Sequence, residues 1–286
     1  MNGGKPSSGT ITIRDGQVTT DSIMTIDKYT VLYNPTIKKY EATKKYDDGE
    51  VVYFNVTTGE KCSSSDYTET QSNTEVKEEC MKFYVFNDDG RNTVNLLLDH
   101  NTTATVAWNS SISNANGPSE LLTQLKLDTS SWQGTETPAN YTMDQTGQTS
   151  NANYTIDYSG YKARLITANE IATITGNASW DEKTATDTFY FDTNTTSAST
   201  ICKNGNTGGC QYGWLYDRTN PGCKKYGCLN GADQQFNGYW TVSSRVNTVC
   251  NVWYVSYTAW LGEDNAAVDY GFGVRPVIEV LRLKLG

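Results

Sequence analysis

The sequence predicts an α+β protein built from antiparallel strands, with two short helices and a long loop region stapled by disulfides. Three observations carry that expectation. Short apolar blocks recur between turn residues, at Val51–Phe54, Met81–Phe86 and Val94–Leu98. Helix-start chemistry occurs at two places, Pro118 and Thr167. Four of the seven cysteines fall between residues 178 and 235, where no hydrophobic period is sustained.

Composition narrows the function classes. With 286 residues the chain is long enough for a substantial core, and an aromatic share of 12% points to an ordered protein even though only 37% of residues are apolar. A formal charge of −9 supplies no basic field for phosphates, so neither nucleic acid nor an anionic membrane is expected as a partner. No apolar run is long enough to span a bilayer, so no membrane insertion by this chain is expected. Met1-Asn2-Gly3-Gly4-Lys5-Pro6 lacks a signal-peptide core, and any leader or anchor is expected to lie outside this chain. The cysteines sort into close pairs, Cys62 with Cys80, Cys202 with Cys210 and Cys223 with Cys228, with Cys250 left over. Local loops closed in this way suit an oxidising, extracellular setting, although other pairings of the six remain open. A zinc site is disfavoured, because there is no CxxC and the single histidine is remote in sequence.

Taken in order, residues 1–46 are polar and read as an extension or stalk with weak strands at Thr10–Ile13 and Tyr29–Tyr33. Patterning strengthens from Asp47, which opens the domain expected over 47–286. Val51–Phe54 and Met81–Phe86 read as strands, the second followed by the Asp88-Asp89-Gly90 turn; Val94–Leu98 reads as a buried strand with Thr105–Trp108 beside it. A helix is predicted from Pro118, at its first position, to about Asp128, with Leu121, Leu122 and Leu125 on one face. Tyr161–Ile166 should run extended into Thr167-Ala168-Asn169-Glu170, which has the spacing of a capping box, and Gly176 should stop the helix that follows. The loop-rich stretch 178–235 comes next. A closing strand near Gly273–Ile278 must then find partners formed much earlier in the chain.

The C-terminal stretch Phe236–Gly286 carries the functional expectation. Gly238-Tyr239-Trp240-Thr241 and Gly273-Val274-Arg275-Pro276-Val277-Ile278 frame a segment rich in Tyr, Ser, Asn and Trp. Such residues suit binding surfaces, because an aromatic ring offers much contact area for two torsions and small polar groups offer adaptable hydrogen bonds. The candidate ligand-binding residues are Arg245, Asn247, Asn251, Tyr254, Ser256, Tyr257, Thr258, Trp260, Glu263, Asp264, Asn265, Asp269 and Tyr270. By strand alternation Tyr239, Trp240 and Trp253 are expected inside, and Tyr254, Tyr257 and Tyr270 exposed. Arg275 is expected in a structural ion pair.

Arg164-Leu165-x-Thr167-x-x-Glu170 followed by Gly273-Val274-Arg275 resembles the bacterial branch of the C-type lectin fold that includes the formylglycine-generating enzymes. The frame Gly-Tyr-Trp-Thr, Val252-Trp253-x-Val255, Leu261 and Gly-Val-Arg-Pro-Val-Ile is closer still to the variable proteins of diversity-generating retroelements and to related anchored surface proteins of gut bacteria. The resemblance covers roughly residues 47–286. It implies a C-type-lectin-like fold and a bacterial or phage adhesin or receptor, secreted or displayed at the cell surface, whose variable C-terminal region binds a protein or glycan on another cell or phage host. In such genes random replacement at template adenines turns Asn codons into Tyr, Ser, Asp or Thr codons, which fits Tyr254, Ser256, Tyr257, Thr258, Asp264, Asn265, Asp269 and Tyr270. Trp260 and Glu263 are not reached in that way.

The remaining chemistry points away from catalysis, and no cofactor is expected. Asp99-His100 reads as a capping or solvated pair at a strand end. One histidine cannot supply the several iron ligands of some relatives of the fold. The oxidases of the branch use a cysteine pair close before the final strand, whereas Cys223 and Cys228 lie too early and Cys250 has no partner. Calcium signatures of sugar-binding lectins are missing, and Glu263-Asp264-Asn265 reads as a solvated loop, so no metal ligand is assigned. The Asn-x-Ser/Thr sites at Asn55, Asn101, Asn109, Asn140, Asn153, Asn177 and Asn194 follow from a composition rich in Asn and Thr.

Overall fold

The computed structural model describes residues 24–26, 29–34, 39–67, 80–103, 105–150, 152–192, 211–216, 238–269 and 271–286, with side chains from residue 43 onward. Outside the described residues lie the expected strand at Thr10–Ile13, the cysteines Cys202, Cys210, Cys223 and Cys228, and Tyr270. The expectation of disulfide staples in the long loop falls there too.

The architecture is mixed α+β and mostly antiparallel. Strands β1 (Met24–Ile26), β2 (Tyr29–Asn34) and β3 (Lys39–Lys44) form a small sheet within the expected N-terminal extension. The next four strands are β4 (Val51–Asn55), β5 (Glu60–Lys61), β6 (Cys80–Phe86) and β7 (Thr93–Leu98). Helix α1 spans Ser119–Thr129, starting directly after Pro118, and buries Leu121 and Leu125. A hairpin follows, β8 (Tyr141–Asp144) with β9 (Asn153–Ile156). Helix α2 (Ala168–Ile174) carries the capping box in full: Thr167 Oγ1 accepts from the Glu170 N–H at 3.0 Å, and the Glu170 carboxylate accepts from the Thr167 N–H at 2.9 Å. Beyond α2 come β10 (Phe189–Tyr190), the single turn α3 (Gly213–Tyr216), β11 (Gly238–Ser244), β12 (Asn251–Ser256), β13 (Trp260–Asn265), β14 (Phe272–Gly273) and the closing strand β15 (Val277–Leu281).

The closing strand does find early partners. It pairs antiparallel with β7, Ile278 opposite Leu96, in a five-stranded sheet ordered β15-β7-β6-β4-β5. This arrangement corrects one expectation. Thr105–Trp108 does not pair with β7, because both edges of β7 are already taken by β6 and β15. That segment instead runs beside the C-terminal stretch, with the Val106 N–H donating to Phe272 O at 3.0 Å and Thr103 bridging Val274.

A second five-stranded sheet, ordered β10-β13-β12-β11-β14, holds the C-terminal frame. Both of its faces are covered along β11 and β12. One set of side chains, Trp240, Val242, Val252, Tyr254 and Phe272, joins a core that includes Trp108, Leu96 and Phe83. The other, Tyr239, Trp253, Val255 and Leu261, packs with Ile166, Ile171 and Leu215. Tyr239, Trp240 and Trp253 are buried, as alternation predicts. Alternation alone fails for Tyr254 and Ser256, as described below.

Three polar ties hold these layers. The Arg164 guanidinium reaches Glu170 at 2.7 Å, Glu279 at 3.0 Å and Asn95 Oδ1 at 2.9 Å, while the Arg164 and Val277 backbones exchange two hydrogen bonds. The α2 start is thereby bound to the closing strand. Arg275, expected in an ion pair, instead donates to the carbonyls of Leu98, Asp99, Trp214 and Leu215, because those chain ends are buried around it and present oxygens that need donors. Glu182 is buried and accepts from the Tyr141 hydroxyl, the Ser243 hydroxyl and the Asn169 N–H, fastening the segment before β10 onto α2. Cys62 and Cys80 form the expected disulfide. No helix among the described residues is long and apolar enough to cross a membrane.

Candidate functional site

The candidate residues divide into three groups once their places are known. Tyr254 is corrected from exposed to buried, at 7% exposure, and Ser256 is buried as well. Their strand is central in the sheet, between β11 and β13, and the core around Trp240 and Phe272 covers the face that alternation assigns to solvent. The Tyr254 ring lies 4.1 Å from Phe272 and 5.6 Å from Trp260, centroid to centroid.

A second group is tied to itself. The Arg245 guanidinium stands 3.0 Å from the Glu263 carboxylate, which also accepts from Asn251 Nδ2 at 2.6 Å, and Arg245 reaches Thr186 O at 2.8 Å. These three residues brace the open end of the β12–β13 hairpin; the fork and the carboxylate already have partners. Asn247, in the connection from β11 to β12, is exposed at a φ of 61°, a left-handed conformation that Asn tolerates better than most residues.

The third group is half-buried or exposed over a buried frame. Tyr257 and Thr258 form the hairpin turn, in which the Ala259 N–H donates to Ser256 O and the Ser256 and Thr258 hydroxyls stand 2.8 Å apart. Trp260, Asp264 and Asn265 are half-buried along β13, and Asp269 is exposed. Asn265 caps the turn after β13 by accepting from the Ala267 N–H at 2.9 Å, which closes the hairpin's other end. The strands on either side of the turn are fixed by a six-pair β12–β13 register, from Asn251 opposite Asn265 to Ser256 opposite Trp260.

Two neighbours of this surface are not legible from the C-terminal segment. Tyr190, on β10, pairs directly with Trp260 and stays 44% exposed, with the two ring planes 21° apart and the centroids 6.0 Å apart. Gly262 lies opposite Tyr254, and a Cβ there would stand 2.7 Å from the phenol oxygen. The signal for the first was present: Phe189-Tyr190-Phe191 is an aromatic run inside a Thr-rich stretch. Its brevity hid it as a strand.

Across the sheet each strand contributes one aromatic, in the order Phe272, Trp240, Tyr254, Trp260, Tyr190, buried at the β14 end and exposed at the β10 end. Burial raises the Tyr254 phenol's pKa far above its usual value, and the Asp264 and Glu263 carboxylates push it further, so the hydroxyl stays protonated at any ordinary pH.

Elsewhere, His100 is buried beside Asp99 and is not solvated. Burial would raise the Asp99 pKa, but the His100 ring beside it and the Lys82 ammonium 3.1 Å away outweigh it and hold the carboxyl down at about 2. Cys250 is half-buried and has no disulfide partner among the described residues. Compared with protein-family models, with curated proteins and with solved structures, the chain matches none.

Proposed function

We propose that this chain is a ligand-binding protein of the adhesin or receptor type, secreted or displayed at a cell surface, with a C-type-lectin-like fold and a binding face on the β12–β13 hairpin. It recognises a protein or glycan on another cell or phage host and performs no catalysis. One observation carries this reading. Over a frame in which Trp253, Val255 and Leu261 are fully buried, Tyr257 and Thr258 in the turn, Trp260 and Asp264 on β13 and Asp269 in the loop that follows keep exposed surface, and the two strands between them hold an unbroken register. Rigid backbone under aromatic and short polar side chains lowers the ordering cost of binding.

Further support comes from the motifs on which the resemblance rests. The Arg164–Glu170 helix start and the final strand, which carry the resemblance, are joined to each other by hydrogen bonds and ion pairs. With Tyr254 in the core, the face is narrower than the sequence suggests. It consists of the turn, the outer strand β13 and the loop through Asp269.

Labelled protein incubated with a panel of intact bacterial cells tests the reading. Binding to at least one cell type is expected, with loss of binding in the double variant Tyr257→Ala/Thr258→Ala and little change in its melting temperature. Full binding by the double variant would refute it. Sequencing the gene from many cells of one population tests diversification: changes at adenine positions of codons 245–270 are expected, and uniform sequence would leave an ordinary adhesin.

A further inference from the structure

The exposed end of the aromatic row has the form of a small built site. Gly262 has no side chain, so the Tyr254 phenol lies across β13 at that position, and an added Cβ would collide with both its Cζ and its oxygen at 2.7 Å. By the two-residue period of the strand, Trp260 and Asp264 stand on the same face on either side of Gly262. Beyond Trp260, Tyr190 of strand β10 stacks against the Trp260 ring and stays 44% exposed. The Tyr254 hydroxyl makes no hydrogen bond among the described residues. The Tyr254 phenol and the Trp260 ring, whose Cε3 an added Cβ would meet at 2.9 Å, fill the space over Gly262, and the result is a surface patch with the Trp260 and Tyr190 rings at one side, the phenol at its centre and the Asp264 carboxylate beyond.

We propose that this patch, formed by Tyr190, Trp260, Tyr254 and Asp264 around Gly262, binds the face of a neutral pyranose sugar. The inference rests on the binding reading above and names its ligand class. A pyranose ring offers an apolar C–H face for the negative π-surface of the two rings, and equatorial hydroxyls for a carboxylate acceptor and a phenol that both donates and accepts. Other stacking ligands fit less well. Nucleotides and acidic sugars meet Asp264 and Glu263 beside the rings in a chain of net charge −9. A quaternary ammonium, also drawn by carboxylates, wants ring faces turned inward around it, whereas the Trp260 and Tyr190 planes are only 21° from parallel.

Retention of the full chain on immobilised neutral polysaccharides (glucan, mannan, galactan and xylan) and on a sulfated polysaccharide tests this. Retention is expected on at least one neutral polymer and not on the sulfated one. Tyr190→Ala should weaken it roughly tenfold, since Tyr190 is half exposed and its removal leaves the fold intact. Asp264→Asn should weaken it by a similar factor, and Leu127→Ser, on the exposed side of α1, should leave it unchanged. Free hexose should displace the protein where choline does not. Absence of retention on every neutral polymer, retention unaltered by Tyr190→Ala and Asp264→Asn, or displacement by choline alone would overturn the proposal. If intact cells are still bound through Tyr257 while no neutral polymer is held, the binding face stands and the sugar assignment falls; if cells are not bound either, both fall.

Discussion

At the residue scale, Tyr254 shows why alternation is a good guide to which side chains share a face and a poor guide to which face meets water. Its partners across the strands, Trp240 and Gly262, place it as the period requires, but that face is the roof of the larger core. Truncating it should therefore act on stability. Tyr254→Ala is expected to cost about 3–5 kcal/mol in denaturant unfolding, and Tyr254→Phe, which keeps the packed ring, less than about 1 kcal/mol. Glu182 gives a second residue-level expectation. Burial raises its pKa against the opposing hydrogen bonds from Ser243, Asn169 and Tyr141, so the fold favours the protonated acid. Its contribution to stability is fully present below the unfolded value of 4.5 and is lost as pH rises through the folded value. Glu182→Gln, which keeps an acceptor for Asn169 and a donor for Tyr141, should flatten the fall in melting temperature as pH climbs above 4.5. Asp99 has the opposite sign: its contribution, set by His100 and Lys82, is present above the unfolded value of 3.8 and fades as pH drops toward about 2.

At the scale of elements, legibility follows from how local the causes are. The α2 capping box was readable because four consecutive residues contain both reciprocal hydrogen bonds. Likewise α1 was readable from Pro118 and the leucine spacing, and the Cys62–Cys80 staple from proximity in sequence. Strand β10 was not, because two residues carry no period and its pairing with β13 is decided by the distant Trp260 and Leu261. Thr105–Trp108 misled for a related reason: a suitable strand sequence was displaced by β15, which arrives from the other end of the chain. Removing the cap with Thr167→Ala should cost about 1 kcal/mol by thermal or denaturant unfolding. Opening the Cys62–Cys80 loop with a double Cys→Ser change should cost about 3 kcal/mol, given the 18-residue separation.

For the whole molecule, the C-terminal end ties together elements that lie far apart in the chain. It pairs with β7, receives Arg164 from the α2 approach, and passes through Arg282, whose guanidinium pairs with Asp88 and donates to Lys44 O at 2.6 Å. The proposed binding surface on β12–β13 is thereby mounted on a frame closed by the C-terminal strand. An alanine scan of the surface residues, read as binding to intact cells alongside melting temperature, tests the central claim most directly. Losses of binding at Tyr257, Thr258, Trp260, Asp264 and Asp269 with the melting temperature held within a few degrees are expected. Binding that survives at all five positions, or that falls only in step with the melting temperature, would contradict a ligand face on this hairpin.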